Sequence, residues 1–76
     1  MDFATRLNCI VSVEIEGFKP LRWFAFSDTI GYTIQMVYEK QTGKPLTSEE
    51  LESRFELVQT DENSKEVYVK LRERKD

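Results

Sequence analysis

Hydrophobic positions alternate with polar ones from Asn8 to Glu16. Cys9, Val11, Val13 and Ile15 share one face; Ser12, Glu14 and Glu16 share the other. A period of two predicts a half-buried strand. Gly17-Phe18-Lys19-Pro20 interrupts it with turn-forming residues and predicts a hairpin connection. Leu21-Arg22-Trp23-Phe24-Ala25-Phe26 follows as a second strand, apolar on both faces apart from Arg22. In an extended chain Phe24 and Phe26 share one side, and Leu21, Trp23 and Ala25 the other. The period then lengthens. Ile30, Ile34, Val37, Tyr38 and Gln41 recur at helical spacing, after Ser27-Asp28-Thr29, whose side chains can accept first-turn N–H groups. Gly43 predicts the end of that helix and Pro45 forbids its continuation.

Thr47-Ser48-Glu49-Glu50 has capping-box spacing and predicts a short second helix with Leu51 and Phe55 on one side. Phe55 to Thr60 is expected as a third strand, and Asp61-Glu62-Asn63-Ser64 as a turn. Glu66 to Glu73 alternates again, with Val67, Val69 and Leu71 inward and Tyr68, Lys70, Arg72 and Arg74 outward. Residues 1–7 show no period and are expected as a flexible N-terminal arm, leaving 8–74 as one domain. Two strands, a helix, a short helix and two more strands predict an α+β fold of β-grasp type. One main helix covers a mixed sheet, with the first and last strands parallel at its centre.

Four segments resemble the ubiquitin-like family. Ser27-Asp28-Thr29-Ile30 is similar to that family's helix start, and Gly17 stands at the spacing of its hairpin glycine. Gly43-Lys44-Pro45 resembles the stretch that ends the helix. Val67-Tyr68-Val69-Lys70-Leu71-Arg72-Glu73-Arg74 resembles the final strand. The resemblance covers about half the chain and implies a β-grasp domain that binds proteins. There are departures. The chain ends Arg74-Lys75-Asp76 without a terminal Gly-Gly, so conjugation is not expected. Lys70 stands where the family has an aliphatic recognition residue and Tyr68 where it has a histidine, so generic ubiquitin receptors are not expected partners.

Composition narrows the chemistry. The 76 residues contain no histidine and one cysteine, which removes His-based catalysis, His-ligated metals and an internal disulfide. Gly17, Gly31 and Gly43 are too far apart for a phosphate loop. Glu14 and Glu16 share a face, but a sheet this small offers no evident cleft to shift a carboxylate pKa. No enzymatic activity and no cofactor are therefore expected. Cys9 stands beside Ile10 and Val11 with no Lys or Arg within two positions to activate it, which suits a buried thiol in a reducing, cytoplasmic compartment. No apolar run is long enough to span a membrane, and none is expected as a partner.

Net charge is −3, unevenly spread. Glu39 to Glu62 holds seven acids against three bases, and Lys65 to Lys75 five bases against two acids. These runs could support head-to-tail association, but solvated surface and helix-dipole matching, with Glu49 and Glu50 in a first turn, are the favoured account of them. Gly31 in the first helical turn is costly there, and a close approach by another backbone would explain it. The candidate partner-binding residues are Phe18, Arg22, Trp23, Tyr68, Lys70 and Arg72, with a protein or a second copy as partner through the sheet face or an edge strand. The alternative is single-stranded nucleic acid, stacked on Tyr68 and Trp23 with Arg22, Lys70 and Arg72 on phosphates; the acidic net charge opposes it. A third reading is a regulatory inhibitor filling a basic groove. Glu14 and Glu16 could also neutralise the basic stripe by cross-strand pairing.

Overall fold

The computed structural model describes residues 1–63 and 65–75. Six strands and two helices follow in the order β1 (Arg6–Leu7), β2 (Ile10–Ile15), β3 (Leu21–Phe24), β4 (Asp28–Thr29), α1 (Ile30–Thr42), α2 (Ser48–Arg54), β5 (Phe55–Glu62) and β6 (Glu66–Glu73). The fold is α+β. Its main sheet has the order β3-β2-β6-β5 and is mixed: β2 and β6 run parallel at the centre, and the outer pairs are antiparallel. No helix is long and apolar enough to cross a membrane, among the described residues.

The alternation in β2 and β6 builds the core. Val11, Val13 and Ile15 lie beside Val67, Val69 and Leu71, all buried on one side of the sheet. Ile30, Ile34 and Val37 of α1 join the same buried cluster, as do Leu46, Leu51 and Phe55. The helix ends follow the chemistry expected of them. Thr29 accepts a bond from the Tyr32 N–H, and Gly43 closes α1 at φ 73°, its N–H donating to the Glu39 carbonyl. In the capping box of α2, the Thr47 side chain accepts from the Glu50 N–H and the Glu50 carboxylate accepts from the Thr47 N–H.

Two segments differ from expectation. Asp61 and Glu62 are strand, not turn: they lie opposite Tyr68 and Val67, and β6 extends the ladder through them. A bulge between Leu57 and Gln59 shifts the register on the way. The N-terminal segment, read from sequence as a loose arm, forms β1 and pairs antiparallel with β4. The Phe3 carbonyl accepts from the Gly31 N–H at 2.9 Å and the Thr5 carbonyl from the Ile30 N–H at 2.8 Å. A Cβ on Gly31 would stand 3.2 Å from the Phe3 carbonyl oxygen. The glycine thus meets the close backbone approach expected for it, made by the chain's own first residues.

Candidate functional site

Directly opposed residues share a face of a sheet, so the register sorts the candidates. Ser12 stands between Arg22 and Tyr68, and Glu14 lies beside Lys70. Arg72 lies opposite Glu56. Arg22, Tyr68, Lys70 and Arg72 therefore share the face turned away from α1. Trp23 does not join them. It lies opposite Val11, half-buried, and packs against the core. Phe18 is also elsewhere: it sits in the β2–β3 turn with its ring edge-on to Tyr38 of α1, centroids 6.4 Å apart. The six candidates thus form one cluster of four and two separate residues.

The four are engaged by acids. The Tyr68 hydroxyl donates to Glu14 Oε1 at 2.8 Å, and Lys70 Nζ lies 3.8 Å from Glu14 Oε2. Arg72 Nε lies 3.0 Å from Glu56 Oε1, and Arg74 Nη1 3.8 Å from Glu56 Oε2. Arg22 Nη2 lies 3.8 Å from Glu66 Oε2. Glu14 pairs as expected. Glu16 forms none of these bridges, and Glu56 of β5 serves Arg72 instead. The bond to Glu14 raises the Tyr68 pKa above its ordinary value, because ionisation would remove the donated proton and face a carboxylate; burial adds to the rise.

One corner of this face is apolar. Phe24 lies opposite Ile10, and its ring meets that of Phe26 with centroids 4.5 Å apart. Phe24 is 48% exposed and Phe26 75%. Sequence reasoning placed them together on the side opposite Trp23 but did not select them. It assigned the surface role to tryptophan, which the hairpin register turns inward. Strand parity ties the two phenylalanines together, and the register that sets Trp23 beside Val11 is what turns them out.

The loop beyond β3 is held tightly. Ser27 is the one non-glycine described with positive φ, at 56°. Its N–H donates to Asn8 Oδ1 at 3.0 Å, and Asn8 Nδ2 donates to Ser27 Oγ at 3.1 Å. Arg6 Nη1 donates to the Ser27 carbonyl at 2.6 Å, and the Phe26 N–H to Asp28 Oδ2 at 3.1 Å. Left-handed backbone is uncommon for a side-chain-bearing residue and persists where surroundings over-determine it. Four bonds thus fix a loop that carries an exposed aromatic ring.

A separate cleft of about 200 Å³ lies between the N-terminal segment and the helices, lined by Phe3, Gly31, Tyr32, Gln35, Ser48 and Leu51. Gln35 Nε2 is already committed to the Leu46 carbonyl at 2.8 Å. Among the described residues, no group of three or more Cys, Asp or Glu side chains converges as a metal site. No protein-family model matches the sequence, and no curated protein or solved structure matches the chain.

Proposed function

We propose that this chain is a β-grasp domain of ubiquitin-like type that works as a non-enzymatic protein-interaction module. Its contact surface is the outer sheet face, centred on Phe24 and Phe26 and bordered by Arg22, Tyr68, Lys70 and Arg72. The parallel central pair, flanking antiparallel strands and crossover helix support the β-grasp reading. The observation that carries the interaction reading is the exposed pair Phe24–Phe26, two rings in tilted contact where β3 enters a loop fixed by four hydrogen bonds. At 48% and 75% exposure the two residues leave roughly 250 Å² of mostly apolar surface in water. Burying that area would contribute about 6 kcal/mol gross, comparable with the lower estimates of association cost. The paired charges around it suit a rim that sets orientation more than affinity. Cys9 as the sole cysteine fits a reducing, cytoplasmic setting.

The nucleic-acid alternative draws less support, because Lys70, Arg72 and Arg74 each already face a carboxylate and the net charge is −3. The test is affinity capture from the source cell with the wild type and with a Phe24→Ser/Phe26→Ser variant, both checked for native circular dichroism. Loss of specific interactors in the variant is expected. Retention of all of them would refute this choice of surface, and a steeply salt-dependent affinity for single strands would restore the alternative.

A further inference from the structure

Strand β3 is an edge of the main sheet, and its hydrogen-bond parity is known. The Ala25 N–H donates to the Cys9 carbonyl at 2.9 Å. Bonded pairs alternate along an antiparallel ladder, so Trp23 and Leu21 turn their backbone groups toward β2. Arg22 and Phe24 turn theirs toward the open side. Both ends of that open row are closed. Pro20 has no N–H, and the Phe26 N–H is already bonded to Asp28 Oδ2. What is left is a short, bounded set: two N–H and two C=O groups, on Arg22 and Phe24.

We infer that this edge pairs with the same edge of a second copy, as an antiparallel two-fold dimer with Arg22 opposite Phe24 of the partner and Trp23 opposite its own counterpart. The inference rests on the interaction surface proposed above and names its occupant. Three registers bring outward-turned residues together. Centring on Arg22 sets two like charges directly opposite, which is unfavourable. Centring on Phe24 sets Arg22 against the partner's Phe26, whose N–H is already used. Centring on Trp23 makes both Arg22–Phe24 pairs at once, each exchanging two backbone bonds.

Charge and shape agree with that register. Arg22 and Phe24 both lie on the outer face, so each guanidinium is brought beside a partner ring, within the ~6 Å reach of a cation–π contact. Arg22 has the freedom to do so: its side chain is 71% exposed, and its ion pair with Glu66 spans a loose 3.8 Å. From Gly17 to Ser27 the chain holds Lys19 and Arg22 and no acid, so the ring is the complementary group the edge itself supplies. On the opposite face the two half-buried Trp23 side chains meet in a close, non-hydrogen-bonded pair. The contact is isologous and closes on itself, which avoids open-ended fibres. Four residues of edge make a small interface, of the weak and transient class.

Sedimentation equilibrium up to about 1 mM, with amide hydrogen exchange on the same samples, tests this. The expected result is a monomer–dimer equilibrium with a dissociation constant on the order of 10–100 µM, little affected by salt. Protection should rise with concentration at the amides of Arg22 and Phe24. It should not rise at Thr60 and Glu62, which the Asn63–Glu66 bond places on the open side of β5. Arg22→Glu should weaken dimerisation at least ~10-fold, Phe24→Ala should do likewise, and the equal charge change Lys44→Glu should leave it unchanged. A monomer throughout, protection at Thr60 and Glu62 instead, or an Arg22→Glu dimer of wild-type strength each overturns the inference. A monomer that still captures another protein through Phe24 and Phe26 ends the dimer and leaves the interaction surface standing. A monomer that captures nothing through them ends both.

Discussion

Gly31 sits where two effects of similar size oppose each other, so a double-mutant cycle can separate them. Replacing it with alanine favours the helix by up to about 1 kcal/mol. The added Cβ would stand 3.2 Å from the Phe3 carbonyl oxygen and 3.5 Å from Phe3 Cβ and Leu51 Cδ2. The first of these neighbours is backbone, held by the Gly31 N–H bond and by the pairing of β1 with β4. It must move. Moving it weakens one backbone hydrogen bond, worth about 1 kcal/mol. It also draws Phe3 away from the core it packs against, at roughly another 1 kcal/mol. Gly31→Ala should therefore destabilise the full chain by about 1 kcal/mol net of propensity. In a chain beginning at Thr5 the obstruction is gone, and the same change should stabilise by up to about 1 kcal/mol. Urea unfolding of the four proteins measures a coupling expected near 2 kcal/mol. A coupling under about 0.5 kcal/mol, the scatter of additive sites, would show that the N-terminal segment does not press on the helix.

Two other outcomes follow from the geometry around the sheet. Because the bond to Glu14 raises the Tyr68 pKa in the folded state, its stabilisation is complete below the unfolded tyrosine pKa of about 10 and is lost as pH rises through the folded value. Tyr68→Phe should cost about 1 kcal/mol at neutral pH, discounted for solvent exposure, and the gap from wild type should close in strong alkali; a gap constant with pH would refute the linkage. Asn8→Ala removes both side-chain bonds to Ser27 and should cost about 1–2 kcal/mol. It should also speed amide exchange at Ser27, whereas unchanged exchange would mean that Asn8 does not hold the loop.

Local rules carried most of the fold into the sequence. Thr47 and Glu50 three apart, Thr29 before an apolar helix stripe and Gly43 after it each satisfy orphan backbone groups near at hand, so they act much the same in any context. The strong alternation of β2 and β6 sets their burial for the same reason. What escaped depends on distant partners. Arg6–Leu7 is too short to show a period and is strand only because Asp28–Thr29 lies beside it. Asp61 and Glu62 have turn chemistry, yet Tyr68 and Val67 hold them extended. At the candidate site, alternation placed Tyr68, Lys70 and Arg72 together. It could not choose which aromatic face of β3 turns outward, because that strand is apolar on both sides and the register to Val11 decides it.

The parallel pairing of β2 with β6 also bears on how the molecule reaches its native state. It joins Ile10 to Glu66 and Ile15 to Leu71, so the middle of the sheet is made of segments from opposite ends of the domain. Neither antiparallel hairpin has its inner neighbour until that junction forms. A nascent chain that has not yet released β6 has nowhere to bury Val11, Val13 and Ile15 against the sheet. Non-local closure of this kind slows folding and lengthens the time for which apolar strands stay exposed. Assembly is therefore expected to be late and all-or-none, with few stable fragments for a protease to leave behind.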